Sequence, residues 1–172
     1  LSFLEIYCEE INDLLVKFDD RKKMEIKQRD KSGGVYIPGL TEVEVNNVGD
    51  VMRVMEMGTK NRAASATKMN AESSRSHCVL QVQVTGSNVN TGASTFGKLN
   101  MIDLAGSEKL KRSGVSGQAQ KEAIAINTSL SALGDVINGL GGKSAHVPFR
   151  NSKLTHLLSD SLMGQSKCLM FL

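Results

Sequence analysis

The chain has 172 residues, 40% of them apolar and 23% charged, with a formal net charge of +3; this is the size of one ordinary domain and lies well outside the compositional range of disordered chains. No stretch approaches the ~18 consecutive apolar residues of a membrane helix, and the first residues lack the basic, apolar and small-residue succession of a secretory leader. With no Trp, two Tyr and five Phe, the stacking positions of a single-strand nucleic-acid binder are also missing, so neither a membrane nor a nucleic acid is expected as partner. The cysteines Cys8, Cys78 and Cys168 are odd in number and have no metal-ligand or redox spacing, which suits reduced, mostly buried thiols inside a cell. Lys109, Lys111, Arg112, Lys143, Arg150 and Lys153 gather the positive charge in the last third, so an acidic partner is plausible on charge alone. The chain opens Leu1-Ser2-Phe3, without Met, and closes on an apolar run from Cys168 to Leu172; it reads as an internal piece of a longer protein.

In chain order, the aromatic and β-branched residues 3–7 predict a buried strand, and Ile11, Leu14 and Leu15 have the spacing of a short helix over residues 9–15. Met24 and Ile26 alternate with charged residues before Gly33-Gly34, residues 35–37 and Pro38-Gly39, the pattern of an exposed hairpin. Val51, Val54, Met55 and Gly58 follow Asp50 at helical spacing and predict an amphipathic helix that ends before the polar residues 61–76. Leu80, Val82 and Val84 alternate with Gln81 and Gln83, predicting a strand with one drier face. A small-residue loop over 88–97 leads to a second strand over 98–104, expected to pair with the first. The longest helix signal covers residues 118–140, with Ile126, Leu130, Leu133, Ile137 and Leu140 forming the apolar stripe, and Gly139, Gly141 and Gly142 stop it. Asn151 or Ser152 is placed to cap a helix carrying Leu154, Leu157, Leu158 and Leu162, and residues 167–172 read as a returning strand. Interleaved strands and helices favour a layered α/β sheet.

Two polar segments carry the chemistry. Asp103-Leu104-Ala105-Gly106 ends an apolar strand, where a carboxylate can hold a magnesium-bound water and a glycine lets its N–H approach a phosphate oxygen; an Asp there also serves simply as a turn former. Residues 70–77 supply an amide, three hydroxyls, a guanidinium and an imidazole just before a strand. Hydroxyls can ligate magnesium, and Arg75 offers a fork for a carboxylate or phosphate; the alternative is a polar loop bonding its own backbone. His77 could act as a general base, although a lone His at a loop–strand junction more often serves the structure. Glu108 is the natural partner of Arg75 if the loops meet. Residues 92–98 have the glycine–lysine spacing of a phosphate loop, but Leu99 replaces the hydroxyl and a strand follows; Gly142-Lys143-Ser144 lacks the first glycine and follows a helix. Neither is a phosphate cradle.

Residues 70–77, 103–108 (DLAGSE), 127–134 (NTSLSALG) and 146–155 (HVPFRNSKLT) resemble, in order and spacing, the signature segments of the kinesin motor domain, and the opening SFLEIYCEEINDLL extends the resemblance over essentially all 172 residues. Phe149, Asn151 and residues 153–158 look closest to the C-terminal-motor, minus-end-directed kinesins. The resemblance implies a P-loop-NTPase-like layered sheet with helices on both faces, present only in part because the first strands and the P-loop are missing, so that residues 1–172 form a partial motor domain. It makes residues 70–77 switch I and residues 103–108 switch II, closing over ATP and Mg2+. Ser74 would meet magnesium, Ser73 would help place the attacking water, and Arg75 would pair with Glu108. Asn70 would line the nucleotide site, Asp103 would hold the metal through water, and Gly106 would sense the γ-phosphate. Residues 118–140 become the relay helix, and Lys109, Lys111, Arg112, Arg150 and Lys153 face the acidic surface of tubulin, where otherwise they would be a solvated face. Thr128 and His156 depart from the basic residues common in the family.

What the resemblance implies for the parent is an ATP-hydrolysing microtubule motor of the cytoplasmic cytoskeleton, a homodimer if a coiled coil lies outside this segment. The segment alone, without a P-loop, is expected to be inactive and prone to aggregate along an unpaired strand edge. A non-catalytic microtubule-binding module derived from a motor is the alternative, disfavoured by the retention of Ser73, Ser74, Arg75, Asp103, Gly106 and Glu108. A GTPase-like switch protein lacks any guanine-reading segment here.

Overall fold

Six successive residues, Ser2–Tyr7, are all buried, which a strand achieves only inside a sheet covered on both faces. The computed structural model describes residues 1–29, 34–69, 73–106, 117–142, 144, 146–163 and 166–171, and in it this strand, β1 (Ser2–Tyr7), lies within a four-stranded sheet of order β2-β1-β5-β6. The other three are β2 (Glu10–Asp13), β5 (His77–Ser87) and β6 (Ser94–Asp103), and all pairings are antiparallel. Alternation sends Phe3 to one face, where it clusters with Leu14, Cys78, Leu80 and Val54, and Leu4 and Ile6 to the other, with Val79, Leu133, Leu154, Leu157 and Leu158. Helix α1 (Val48–Met69) supplies Val54 to the first face; α2 (Gln118–Gly141) and α3 (Lys153–Leu157) cover the second. The expected α/β layering, with helices on both faces, is present.

The short helix predicted for residues 9–15 is instead the return strand of a hairpin. Cys8 and Glu9 both have left-handed backbones, φ 49° and 63°, between the paired residues Tyr7 and Glu10. Positive φ at both central positions matches the twist of a two-residue hairpin turn. Pairing with β1 satisfies the backbone of residues 10–13, and Ile11 and Leu14 still reach the core.

Helix α1 runs two turns past its predicted end. Its start is boxed by Asn47, whose Oδ1 accepts from the Asp50 N–H at 3.0 Å, while Asp50 Oδ2 accepts from the Asn46 N–H at 2.9 Å. Beyond residue 60 the inward contacts are polar: Asn61 Nδ2 donates to the Leu14 carbonyl at 2.8 Å and Arg62 Nη2 donates to the Ser76 carbonyl at 3.1 Å, while buried Ser65 bonds back within the helix to the Asn61 carbonyl at 2.7 Å. An apolar-period argument does not register such anchors, while three alanines at positions 63, 64 and 66 keep helix propensity high.

The two arms of the predicted hairpin pair, β3 (Lys27–Gln28) with β4 (Val35–Tyr36). It is not fully exposed, because Ile26, Val35 and Ile37 join the core beneath α3. Strands β5 and β6 pair from Cys78↔Asp103 to Ser87↔Ser94, so the connection is shorter than the loop predicted for 88–97. Both faces of residues 77–81 are buried, whereas the far end is open and Val84 is 59% exposed.

Helix α2 matches its predicted span, but not its predicted inner face. Glu122, Ser129, Ala132, Leu133 and Val136 are buried, while Ile137 is exposed. Ser152 caps α3, its hydroxyl accepting from the Thr155 N–H at 3.1 Å. The predicted continuation breaks at Leu158 into α4 (Ser159–Leu162). Residues 167–171 are not a strand, and Leu169 and Phe171 are exposed; among the described residues no strand edge pairs them. Of the cysteines, Cys78 is buried, Cys8 half-buried and Cys168 exposed.

A Cβ on Gly58 would lie 2.1 Å from Phe3 Cδ1, so α1 touches β1 through bare backbone. Gly58→Ala gains about 1 kcal/mol of helix propensity but must displace a core aromatic, and overpacking of this kind typically costs about 1–3 kcal/mol. The expected outcome is net destabilisation, read as a lower urea-unfolding midpoint; an unchanged or higher midpoint would contradict the close approach.

Candidate functional site

Antiparallel pairing of β5 and β6 sets Cys78 opposite Asp103. The 3-10 turn Ser73–Arg75 leads into β5 and residues 104–106 lead out of β6, so the two polar segments emerge from the same end of the sheet. They touch: the Gly106 N–H donates to the Ser74 carbonyl at 3.2 Å. Ser74 is exposed, and the Asp103 side chain is 80% exposed, with Arg62 Nη1 3.8 Å from its Oδ2.

Arg75 is half-buried and its Nη1 donates to Glu122 Oε2 on α2 at 2.8 Å. Glu122 is itself 1% exposed and accepts on Oε1 from the Tyr7 hydroxyl at 2.5 Å; Gln118 Nε2 donates to the same hydroxyl at 2.9 Å. Burial, then the bond to Glu122, pushes the Tyr7 hydroxyl up to about 12, so it remains a donor at any working pH.

His77 is 2% exposed and both ring nitrogens are engaged. The Ala105 N–H donates to Nδ1 at 3.0 Å, and Nε2 lies 2.7 Å from Ser129 Oγ on α2. A backbone N–H can only donate, so Nδ1 is bare and the neutral ring carries its proton on Nε2. Burial pushes the His77 pKa down to about 4, partly offset by Asp103. With both ring nitrogens engaged and the ring out of solvent, His77 serves as a structural link rather than a general base.

Ser74, Arg75, Asp103 and Gly106 thus come together at one end of the sheet. Asn70, Glu108, Lys109, Lys111, Arg112 and Lys143, with the side chain of Ser73, lie outside the described residues. Arg150 and Lys153 are tied to the first third of the chain: Arg150 Nη2 donates to Gln28 Oε1 at 3.4 Å, Lys153 Nζ pairs with Glu25, and the Lys153 N–H donates to Glu9 Oε2 at 2.8 Å. A cleft of about 590 Å³ runs along the outer side of α2 between Ile124, Thr128, Asp135 and Asn151, away from the converging turns.

Sequence reasoning missed Glu122, Tyr7, Ser129, Glu25 and Glu9. A signal existed for two of them: positions 122, 129 and 136 recur at seven-residue spacing on α2, and all three are buried. Nothing local marks Glu9 or Glu25 as partners of Lys153.

The residues present suit a magnesium–phosphate group better than a bare cation. Hard oxygen donors are available in Ser74 and Asp103, and among the described residues no cluster of three His, Cys, Asp or Glu could hold a metal. Magnesium commonly takes only one or two protein ligands and completes its shell with substrate phosphates and water. No described helix is long and apolar enough to cross a membrane.

A family model described as the kinesin motor domain matches residues 1–172. The chain is 50% identical over 171 residues to the kinesin-like protein KIN-14R of Arabidopsis thaliana, and 49% identical over 168 residues to the kinesin heavy chain of Syncephalastrum racemosum. These alignments cover 99% and 97% of this chain but only 16% and 18% of the relatives. Among solved structures, a fast kinesin superposes with a TM-score of 0.82 at 49% identity over 93% of this chain. The C-terminal motor and motor homology domain of Kar3Vik1, fused to a synthetic heterodimeric coiled coil, gives 0.84 at 43% over 96%. The chain spans 45% and 43% of those two solved chains. KIN-14 and Kar3 relatives agree with the resemblance to C-terminal motors read from residues 149–158. With the layered sheet, the meeting of the two turns at its end and a match along the full length, the chain belongs to the kinesin motor domain family.

Proposed function

We propose that residues 1–172 are the part of a microtubule motor that carries both nucleotide switches, the relay helix and much of the track-facing surface, in a parent protein that hydrolyses MgATP. The observation that carries this reading is the Gly106-to-Ser74 hydrogen bond, which holds the two candidate switches against each other at the C-terminal end of β6, where ligands of layered α/β sheets bind. Phosphoryl transfer asks the protein mainly to position groups and stabilise charge. Ser74 would ligate magnesium directly and Asp103 through water; bound magnesium would supply charge neutralisation at the phosphates. Ser73 would orient the attacking water, Asn70 would line the nucleotide, and the Gly106 N–H would exchange the Ser74 carbonyl for a γ-phosphate oxygen. Arg75 and Glu108 would pair as the pocket closes. The cradle for the other phosphates belongs to a part of the motor outside residues 1–172.

Lys109, Lys111, Arg112, Arg150 and Lys153 would meet the acidic surface of tubulin, each contact weak and salt-sensitive. Localisation to cytoplasmic microtubules and pairing of two parent chains through a coiled coil outside this segment belong to the same proposal.

Arg75→Ala in the full-length protein is expected to lower microtubule-stimulated kcat by about a hundredfold or more, the usual effect of removing one charge-stabilising group. A full-length protein that binds microtubules yet hydrolyses no ATP would point instead to a non-catalytic binding module. The 172 residues alone are expected to show no tight, magnesium-dependent ATP binding by titration calorimetry; tight binding would overturn the division of the site. Because Lys153 is already paired with Glu25, Lys153→Ala and Glu25→Gln should move microtubule affinity in opposite directions, down and up respectively, by about two- to fivefold each at low salt. Co-sedimentation across a salt series reads both, and a shift of the same sign in the two variants would remove Lys153 from the track surface.

A further inference from the structure

Three contacts join the end of the sheet to α2 through one buried ring. The Ala105 N–H donates to His77 Nδ1 at 3.0 Å, Nε2 meets Ser129 Oγ at 2.7 Å, and the Ser129 hydroxyl donates to the Ile126 carbonyl at 2.9 Å. Donor direction is the same at every step. Ala105 fixes Nδ1 as acceptor, the ring must then donate from Nε2, and Ser129, receiving that proton donor, passes its own hydroxyl hydrogen to the helix backbone. His77 and Ser129 are 2% and 1% exposed, so no water can stand in for either partner, and breaking one bond leaves a buried polar group unsatisfied. The next residue after Ala105 is Gly106, whose N–H is held by Ser74. Any rearrangement that lifts Gly106 away from Ser74 therefore also pulls on the His77 ring.

We propose that His77 is a positioning residue that transmits movement of the 104–106 turn to α2 through Ser129, so that the helix and the nucleotide pocket change state together. The ring touches neither nucleotide nor track; it acts by holding a backbone amide of one element and a hydroxyl of another in one fixed geometry. The Arg75–Glu122 bond joins the other candidate switch to the same helix about two turns earlier in the chain, so α2 is gripped at two points, and the two grips report on different turns. This inference rests on the motor reading given above.

The test is the steady-state ATPase of the full-length protein with and without microtubules. Ser129→Ala removes the acceptor on the helix and leaves Ala105 bonded to His77. His77→Asn keeps an acceptor near the Nδ1 position but does not reach Ser129. Both variants, and the double variant, are expected to keep basal turnover within about twofold and to lose about three- to thirtyfold of the microtubule stimulation, the usual range for residues that couple two sites. The double variant should lose no more than the larger single loss, because all three break one link. Should His77→Asn fold poorly, Ser129→Ala decides alone, with its urea-unfolding midpoint measured alongside. Full stimulation in Ser129→Ala, or losses that add in the double variant, would overturn the inference while leaving the motor reading intact. A wild-type protein whose ATPase microtubules do not stimulate would overturn the motor reading, and this inference with it.

Discussion

The antiparallel register of β5 and β6 governs where everything else can be. Cys78 opposite Asp103 means that the chain entering β5 and the chain leaving β6 stand side by side, although about thirty residues separate them in sequence. Slipping that register by one residue would invert every side chain of one strand, sending Val79 out of the core that it shares with Leu4 and Leu133. The packing of one apolar side chain and the meeting of the two polar turns are thus consequences of the same alignment. The Ser74–Gly106, His77–Ala105 and Arg62–Asp103 contacts are all built on it.

Buried charge is concentrated around this end of the sheet. Glu5, in the middle of β1, is 3% exposed and accepts from the Ser76 hydroxyl at 3.0 Å, with Arg62 Nε at 3.6 Å and Arg21 Nη1 at 3.7 Å. Glu122 is similarly enclosed between Arg75 and Tyr7. Buried ion pairs add little net stability over apolar replacements, yet losing one partner is severe because the other is left charged in a poor solvent. Their effect here is to fix orientation: α1, β1, the Ser73–Arg75 turn and α2 can satisfy these groups only in one mutual arrangement. The phosphate-sensing role proposed for this end of the sheet would need that definition more than extra stability.

The side proposed to face the track is organised differently. Residues 149–157 are tied to the first third of the chain by Glu9, Glu25 and Gln28, across more than a hundred residues of sequence. Glu9 holds its position because the β1–β2 turn places it in a left-handed conformation, a strain of the kind retained where surrounding contacts over-determine the backbone. Arg150 and Lys153, two of the positive charges proposed to grip tubulin, are therefore presented by a clasp of two segments, in which the acidic neighbours would moderate binding.

The sequence alone was sufficient for the strands at 80–84 and 98–104, the long helix from Gln118, a cap at Asn151 or Ser152 and the four motifs of the family, because each is written in neighbouring residues: apolar runs with a period of two, a period near 3.6, a polar side chain before a helix, an ordered set of polar segments. Tertiary structure decided the rest. Cys8 and Glu9 carry no glycine or asparagine to announce a hairpin turn, so a spacing that fits a short helix became a strand once β1 offered its edge. Residues 61–69 stayed helical because Asn61 and Arg62 found polar anchors on other elements rather than apolar ones. The inner face of α2 turned out to run through Glu122 and Ser129, since a buried acid or hydroxyl is tolerable only where Tyr7, Arg75 and His77 arrive from other elements to bond it, and a hydrogen-bond partner supplied from fifty or a hundred residues away leaves no mark on local periodicity.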